Sequence, residues 1–211
     1  MAVGLRLVDR PQNRMLHTNS PAEPATAIRI RDVATELFYE KGYHGTSMRE
    51  IAAYVGIKPA SLYNHFASKH DILYEIAFGT MQEMFTGAQA AIASAASPEG
   101  QLRRLVEFHV RYSATNRLRA KVADDQLHAI ADEQKGSVLD LRDRYESLFR
   151  DVLRRGADEC GWHIDDVPVV TFAIATMASA VGVWYRDDGR LSADAIASIY
   201  GDLAIRAVVG T

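Results

Sequence analysis

Polar residues follow Gly56 closely, and their types suit contact with nucleic acid. Residues 58–66 contain a lysine, hydroxyl groups, an amide and an imidazole around two apolar positions, Leu62 and Phe66. Because these two are four residues apart, a helix would turn both inward and leave the polar side chains pointing elsewhere. Such groups at the start of a helix are the ones that reach base edges and phosphates. The segment therefore predicts a DNA-reading surface.

The element before this segment carries a repeating apolar stripe. Its spacing of i, i+3, i+4 and i+7 is typical of the buried face of a helix: Met48, Ile51, Ala52 and Val55. Ser47, with Glu50 three residues later, forms a capping-box start, and Gly56 supplies the turn at the other end. Pro59 suits the first position of the next helix, where its missing N–H costs nothing. Two short helices joined by a glycine turn predict a helix-turn-helix.

This motif and its flanks resemble the TetR family of one-component transcriptional repressors over roughly residues 25 to 75. The family pattern is matched at Phe38, Gly42, Tyr43, Thr46, Ser47, Ile51, Ala52, Val55, Gly56, Ile57, Leu62, Tyr63, His65, Phe66, Ser68 and Lys69. The resemblance implies an all-α fold of about nine helices, with a helix-turn-helix head and a helical body for effector binding and dimerisation. It also implies that a homodimer binds a pseudo-palindromic, double-stranded DNA operator and is released by a small molecule.

Ten residues are predicted to contact DNA, in two roles. Those at or near the starts of the motif helices are placed to reach base edges: Arg49, Lys58, Ala60 and Ser61. The resemblance implies that others hold phosphates: Thr46, Ser47, Tyr63, His65 and Lys69. Asn64 completes the set, and Arg31 adds a cation for the face that meets phosphate.

Length and composition are consistent with this prediction. The chain has 211 residues, of which 48% are apolar, enough for a substantial core but few for two independent domains. Its formal net charge of −3 argues against non-specific nucleic-acid binding. Specific binding needs only the contacting face to be positive. One cysteine, Cys160, excludes an intrachain disulfide and fits the cytoplasm.

Three regions are predicted along the chain. They are a flexible arm at 1–24, a helix-turn-helix domain at 25–70, and a helical effector-binding and dimerisation domain at 71–211. The arm is rich in proline and has no apolar run, so it is not a secretory signal. Its Arg6, Arg10 and Arg14 are candidates for phosphate or minor-groove contacts, against the alternative of a terminus without such a role.

Residues 169–185 are apolar nearly all round. The family resemblance implies that this helix and the last one pair with the same helices of a second subunit. The last helix contributes Ile196, Ile199, Tyr200 and Leu203. The alternatives are a core helix buried within its own subunit and, at about 17 residues, a short membrane span. The homodimer is the prediction, with no membrane partner.

Asp124, Asp125 and His128 offer an alternative chemistry. On one helix, spacing of i to i+3 and i+4 would place them side by side, and two carboxylates with an imidazole suit a divalent metal. The alternative function is therefore a helical metal-dependent enzyme. No second histidine follows at zincin spacing, and no phosphate loop, serine elbow or Cys-x-x-Cys is present. The prediction is a regulator without catalytic residue, metal or cofactor.

The body is predicted to hold the effector among mainly aromatic side chains, although each of these suits an ordinary core as well. The candidates are Phe108, His109, Tyr112, Arg142, Tyr145, Phe149, Met177 and Trp184. Residues 184–192 and 142–145 resemble the subset of the family that responds to acyl-CoA thioesters in lipid or steroid breakdown, which implies an acyl-CoA effector. An uncharged hydrophobic effector is the alternative. The CoA phosphates need cations, for which Arg142, Arg144, Arg150 and Arg186 are candidates.

Overall fold

The computed structural model describes residues 25–130 and 132–209, and all regular elements within them are helical. They are α1 (Ala25–Lys41), α2 (Met48–Val55), α3 (Pro59–Tyr63), α4 (Lys69–Ala93), α5 (Pro98–Thr115), α6 (Arg117–Asp125), α7 (Asp132–Cys160), α8 (Val167–Ser179), α9 (Val181–Trp184) and α10 (Ala193–Val209). Only Ala180 separates α8 from α9, so these two form one bent apolar run. The predicted all-α architecture of about nine helices is confirmed. The predicted arm with Arg6, Arg10 and Arg14 lies outside the described residues.

The N-terminal unit consists of α1, α2, α3 and the start of α4, and we call it the head. Apolar residues from all four helices are buried at its centre: Ile30, Ala34, Leu37, Phe38, Ile51, Ala52, Val55, Leu62, Phe66, Ile72 and Leu73. Burial of each large side chain contributes roughly 1.5–3 kcal/mol. Because α4 continues for 25 residues into the rest of the molecule, the head shares its apolar interior with the body.

Polar side chains cap the first turns of several helices. Each accepts a hydrogen bond from a main-chain N–H three residues later: Ser47 from Glu50 (3.2 Å), Ser68 from Asp71 (3.2 Å), Asp166 from Val169 (2.9 Å) and Ser192 from Ala195 (3.2 Å). A cap of this kind is worth about 0.5–2 kcal/mol. The predicted start of α2 at Ser47 is therefore confirmed.

The body, α5 to α10 with the later part of α4, is built around α5. This helix packs against α4, α7, α8, α9 and α10. Gly182 allows α9 to pack closely on the backbone of α5, because a Cβ there would lie 2.9 Å from the carbonyl oxygen of Ser113. Helix α6 contacts both α1 and α4, so it joins the body to the head.

Candidate nucleic-acid interface and effector site

The turn between α2 and α3 depends on Gly56. Its φ of +79° lies in the left-handed region, which side chains with a Cβ rarely adopt. Its N–H donates to the carbonyl oxygens of Ala52 (3.0 Å) and Ala53 (3.2 Å), which closes α2. Lys58 is extended and Pro59 opens α3. The predicted helix-turn-helix is present.

The outward side of this motif is polar. Eight of the ten predicted DNA-binding residues are exposed: Ser47, Arg49, Lys58, Ala60, Ser61, Tyr63, Asn64 and His65. Leu62 and Phe66, on the opposite side, are buried. Within residues 25–130 and 132–209, no ion pair holds Arg49 or Lys58. Both cations therefore stay available to a ligand at this face.

Thr46 and Lys69 differ from the other eight, because they bind within the protein. Thr46 is only 2% exposed, and its hydroxyl lies 3.0 Å from the carbonyl oxygen of Gly42 and 3.3 Å from that of Leu37. The Lys69 ammonium donates to the carbonyl oxygens of Tyr43 and Thr46, both at 2.6 Å. Burial lowers the pKa of Lys69. The two residues hold the turn between α1 and α2 against α4, a structural role that sequence reasoning missed, and their contact with phosphate stays a prediction.

Arg31, predicted as a further cation for the DNA face, forms an ion pair with Glu75 at 3.6 Å. This pair links α1 to α4. The positive charge of the outward face therefore comes from Arg49 and Lys58 rather than from all four predicted cations.

The alternative metal site does not form. Helix α6 ends at Asp125, and His128 lies on a separate 3₁₀ turn, so the three residues do not share one helix. Asp124 pairs with Arg142, and Asp125 pairs with Lys121 at 2.7 Å. In the described part of the chain, no group of three histidine, cysteine or acidic residues could hold a metal ion. The helical enzyme hypothesis is therefore not supported.

A set of large, exposed apolar side chains lies on α8, α9 and α10. It consists of Val169, Phe172, Val183, Trp184, Ile199 and Leu203, and we call it the apolar surface. Phe172 is 73% exposed and Val183 is 76% exposed. Residues Val167–Trp184 are apolar and long enough for a membrane span by length and composition, but the helix is broken after Ser179. Only 22% of that segment is buried, so the rest of the chain leaves most of it uncovered.

An aromatic cluster lies where α5 meets α7. The ring centroids of His109, Tyr145 and Phe149 are 5.6 to 6.1 Å apart, and the rings meet edge to face. His109 is buried, and this burial lowers its pKa to about 4, so its imidazole is neutral at pH 7. Its Nε2 lies 2.9 Å from the hydroxyl of Ser179 on α8. The structure therefore brings three of the predicted effector residues together.

Other predicted effector residues lie apart from this cluster. Arg142 pairs with Asp124, and Phe108 packs half-buried against Gly87. Met177 is half-buried on α8. Trp184 is 48% exposed and lines a cleft of about 240 Å³, which we call the Trp184 cleft. Its other lining residues are Tyr185, Arg186, Gly189, Arg190, Leu191 and Ile196.

The four candidate phosphate-binding arginines differ in the contacts that they make within the protein. Arg144 lies with its guanidinium 4.4 Å from the ring centroid of Phe85, and Arg150 pairs with Glu146 at 3.4 Å. Arg142 is paired as described above. Arg186 differs from these three, since it lines the Trp184 cleft beside Arg190, a residue that the sequence prediction did not include.

A polar junction connects the aromatic cluster to the head. Tyr112, one turn after His109 on α5, donates its hydroxyl to Glu83 on α4 at 3.0 Å. Arg119 on α6 binds both oxygens of the same carboxylate, at 3.1 and 3.2 Å. Because α6 also contacts α1, the junction connects α5, the helix that carries His109 and Tyr112, to the head. Sequence reasoning assigned no role to Glu83 or Arg119, since 36 residues separate them and no local pattern relates them.

Comparison with known families covers most of the chain. Residues 30–76 match the profile described as bacterial regulatory proteins, tetR family. Residues 95–208 match the profile described as tetracyclin repressor-like, C-terminal domain. The second match alone spans more than half of the chain, so both the head and the body have counterparts in one family.

Individual proteins are similar to this chain over most of its length. The HTH-type transcriptional repressor KstR2 of Rhodococcus jostii (strain RHA1) is 30% identical over 175 residues, which cover 81% of this chain and 85% of that protein. A bacterial regulatory protein in the tetR family from Rhodococcus RHA1 has a similar structure, with a TM-score of 0.83 and 28% identity, over 90% of this chain and 100% of that one. The ketosteroid transcriptional regulator KstR2 of Mycobacterium tuberculosis superposes with a TM-score of 0.80 at 25% identity, over 90% of this chain and 98% of that one.

Proposed function

Because this chain belongs to the TetR family of transcriptional regulators, we propose that it represses transcription as a dimer on a pseudo-palindromic operator and leaves the DNA when a small hydrophobic effector binds its body. The observation that carries the proposal is the helix-turn-helix with an exposed polar face on a buried apolar base. Residues 25–70 would be the DNA-binding domain and residues 71–211 the effector and dimerisation domain. Such a regulator acts in the cytoplasm.

The exposed face of the head supplies both kinds of DNA contact. Lys58, Ala60 and Ser61, around the start of α3, would reach base edges in the major groove, together with Arg49 from α2. Ser47, Tyr63, Asn64 and His65 would bind the backbone, which positions the head without specifying sequence. Thr46 and Lys69 would help to position this face, because their hydrogen bonds to main-chain carbonyls hold the turn between α1 and α2 in place.

The apolar surface supports the homodimer. Exposed patches of large apolar side chains mark interaction sites in soluble proteins, and a two-fold dimer places the same patch of both subunits face to face. The two heads would then meet half-sites about one helical turn apart, roughly 34–36 Å. The second subunit would cover Phe172, Val183 and Ile199, which the chain by itself leaves in water.

Two regions of the body favour an acyl-CoA as the effector. The aromatic cluster offers an apolar lining for an acyl group, and the Trp184 cleft offers Arg186 and Arg190 to phosphates. Among the four arginines first considered, Arg186 is the best placed, because Arg142 and Arg150 are already paired with carboxylates. The proposed ligand would therefore place its phosphates at the Trp184 cleft and its acyl part at the cluster.

The polar junction would transmit a change in α5 on effector binding to the DNA-binding head. An effector releases the operator only if it binds one spacing of the two heads better than the other. A change from almost fully bound to almost fully free takes about 5 kcal/mol of differential affinity. A shift of α5 at His109 would move Tyr112, and with it the Glu83 carboxylate and Arg119, toward or away from α1.

A band-shift assay with the DNA upstream of the chain's own gene tests the proposal. We expect a specific complex that a long-chain or ring-derived acyl-CoA dissociates. Arg186→Ala should weaken that dissociation and leave DNA affinity without ligand unchanged, with Arg154→Ala, an exposed arginine on α7, as the matched control. The absence of any specific complex would overturn the repressor proposal. A specific complex that no acyl-CoA dissociates would overturn the effector assignment alone.

A further inference from the structure

The helix-turn-helix contains a single acidic residue. Residues 44–67 have one carboxylate, that of Glu50, and two cations, Arg49 and Lys58. Glu50 lies in the first turn of α2, three residues after Ser47, which caps this helix. A carboxylate so close to Ser47 would repel the phosphates that Ser47 is proposed to bind. The position of this one charge therefore matters for DNA binding.

Lys41, the last residue of α1, pairs with this carboxylate. Its ammonium donates a hydrogen bond to Glu50 and forms an ion pair with it. The same ammonium lies 5.5 Å from the ring centroid of Tyr54, one turn further along α2, a distance at which cations are attracted to aromatic faces. The hydrogen bond lowers the pKa of Glu50 and raises the pKa of Lys41, so both groups are charged at pH 7.

The turn between α1 and α2 sets where the Lys41 side chain begins. Gly42, the next residue, has a φ of +76°, in the left-handed region that favours glycine. The Thr46 hydroxyl donates to the carbonyl oxygen of Gly42 at 3.0 Å, and Lys69 binds the carbonyl oxygens of Tyr43 and Thr46. The position of Lys41 relative to α2 is therefore held by these bonds as well as by its own pair with Glu50.

The capping box that the sequence predicts at the start of α2 is only half formed. The Ser47 hydroxyl accepts from the N–H of Glu50 at 3.2 Å. The reciprocal bond of a capping box runs from the N–H of Ser47 to the Glu50 carboxylate. Within residues 25–130 and 132–209 the Ser47 N–H makes no hydrogen bond, and the carboxylate is bonded to Lys41 instead. The Ser47 N–H thus stays open to a phosphate oxygen.

Stability by itself does not account for the pair of Lys41 and Glu50. Their side chains are 39% and 26% exposed, and ion pairs between partly exposed side chains add little to folding stability. A complete capping box would satisfy one main-chain N–H that the observed arrangement leaves open. The head therefore forgoes a local hydrogen bond, and the start of α2 remains accessible to an anion.

We propose that Lys41 is a positioning residue for DNA binding, because it holds the Glu50 carboxylate against α1 and keeps it off the start of α2. The inference deepens the proposed function and rests on it for the identity of the anion, a DNA phosphate. It assigns no DNA contact to Lys41, whose ammonium is engaged by Glu50 and Tyr54. Without Lys41, the carboxylate would turn to the Ser47 N–H and compete with phosphate for the positive end of the helix.

Band shifts with operator DNA and the full-length protein test this role. Lys41→Met should lower operator affinity about ten-fold, the size of one hydrogen bond to a charged group. Lys41→Met/Glu50→Gln, which has the net charge of wild type, should recover to within about two-fold of wild type. Glu50→Gln alone should bind at least as tightly as wild type. A double variant as weak as Lys41→Met would show that Lys41 itself binds DNA, and the inference would be overturned.

Lys121→Met is the matched control for these band shifts. Lys121 pairs with Asp125 on α6, and both side chains are about half exposed, 49% and 50%. The variant removes one positive charge and frees one carboxylate, as Lys41→Met does, but away from the DNA-reading motif. Its operator affinity should change by less than about two-fold. A ten-fold loss here as well would assign the effect to overall charge, which would also overturn the role of Lys41.

Hydrogen exchange of the Ser47 amide, measured by NMR without DNA, tests the position of the carboxylate. We expect fast exchange in wild type, exchange about five-fold slower in Lys41→Met, and fast exchange again in Lys41→Met/Glu50→Gln, because only a released carboxylate can accept from this N–H. Equal exchange in wild type and Lys41→Met would overturn the inference, whatever the band shifts show.

The two measurements separate this inference from the proposed function. If wild type forms a specific operator complex but the double variant does not recover affinity, the role of Lys41 is wrong and the repressor proposal stands. If the Ser47 amide behaves as expected but no operator complex forms, the repressor proposal fails, and Lys41 is still the residue that keeps the Glu50 carboxylate off the start of α2.

Discussion

The head and the body distribute polarity in opposite ways. In the head, Ile51 and Leu62 are fully buried and the polar residues of α3 face water. In the body, Phe172 and Val183 face water, and polar atoms of His109 and Tyr145 are buried without a partner. The body thus shows two departures from the usual arrangement, exposed large apolar side chains and unpaired buried polar atoms, and the head shares the second at the Tyr43 hydroxyl, which is also buried and unpaired.

These departures have a free-energy cost that a ligand or a second subunit would remove. Exposed apolar area costs about 25 cal/mol per Å² relative to burial, and an unpaired buried polar group costs about 1–3 kcal/mol. The body therefore has stability to gain from partners. The head instead exposes polar groups, which water already satisfies. The following predictions test this contrast, from the largest expected effect to the smallest.

A charge on the apolar surface should have the largest effect. Ile199→Glu, at a residue 45% exposed on α10, should produce monomers, because a buried carboxylate without a partner is costly. Without the second head, operator affinity should fall by roughly 10²–10⁴-fold, the usual gain from bivalency. Light scattering and band shifts measure the two effects. Leu139→Glu, 39% exposed on α7, is the control that should stay dimeric, and a wild-type monomer at micromolar concentration would refute the assembly.

Acidification should destabilise the body through His109. Its pKa is about 4 in the folded protein and 6.5 in an unperturbed histidine, so the unfolded chain takes up the proton first as the pH falls. The free energy of unfolding should therefore decrease between pH 6.5 and pH 4, by about 3 kcal/mol in total. Urea unfolding at a series of pH values measures this slope. His109→Gln should remove this contribution, and equal slopes for variant and wild type would contradict the prediction.

Substitution of Lys69 and of Lys58 in the head should have different effects, the first on stability and the second on sequence recognition. Lys69→Ala leaves two main-chain carbonyls without their donor and should lower the free energy of unfolding by about 1–3 kcal/mol. Lys58→Ala, an exposed position, should leave stability within about 0.5 kcal/mol. It should instead reduce preference at one base pair by roughly 1–3 kcal/mol. Urea unfolding measures the stability of both variants, and competition band shifts with single-base operator variants measure their sequence preference. A stability loss in Lys58→Ala together with a changed base preference in Lys69→Ala would refute the prediction.

The smallest expected effect concerns Tyr63, which is 52% exposed on α3. Loss of one phosphate hydrogen bond in Tyr63→Phe should weaken all operators alike by roughly 0.5–1.5 kcal/mol. Stability should not change. Tyr39→Phe, 48% exposed on α1, is the matched control with no expected effect on DNA binding. A change in sequence preference in the Tyr63 variant would show that it reads bases.

Local patterns predicted the head well, because its structure depends on neighbours in sequence. The stripe Met48, Ile51, Ala52 and Val55, the Ser47 cap and the Gly56 turn each act within a few residues. Local caps of the same kind begin α4 in the head and α8 and α10 in the body. Thr46 and Lys69 were assigned to phosphate by resemblance alone, and their internal bonds link positions up to 26 residues apart, which no local pattern reveals.

Several features of the body could not be predicted from the sequence. The sequence alone determined that helices would form, where they begin and that residues 169–185 are unusually apolar, since these depend on capping groups, helical periodicity and composition. Only the tertiary structure decided which faces remain exposed, that Asp124 pairs with Arg142 rather than with a metal, and that His109, Tyr145 and Thr171 lack partners. Exposure and side-chain pairing of this kind depend on how the helices of the body pack, which brings together side chains such as Asp124 and Arg142, 18 residues apart, or His109 and Ser179, 70 residues apart.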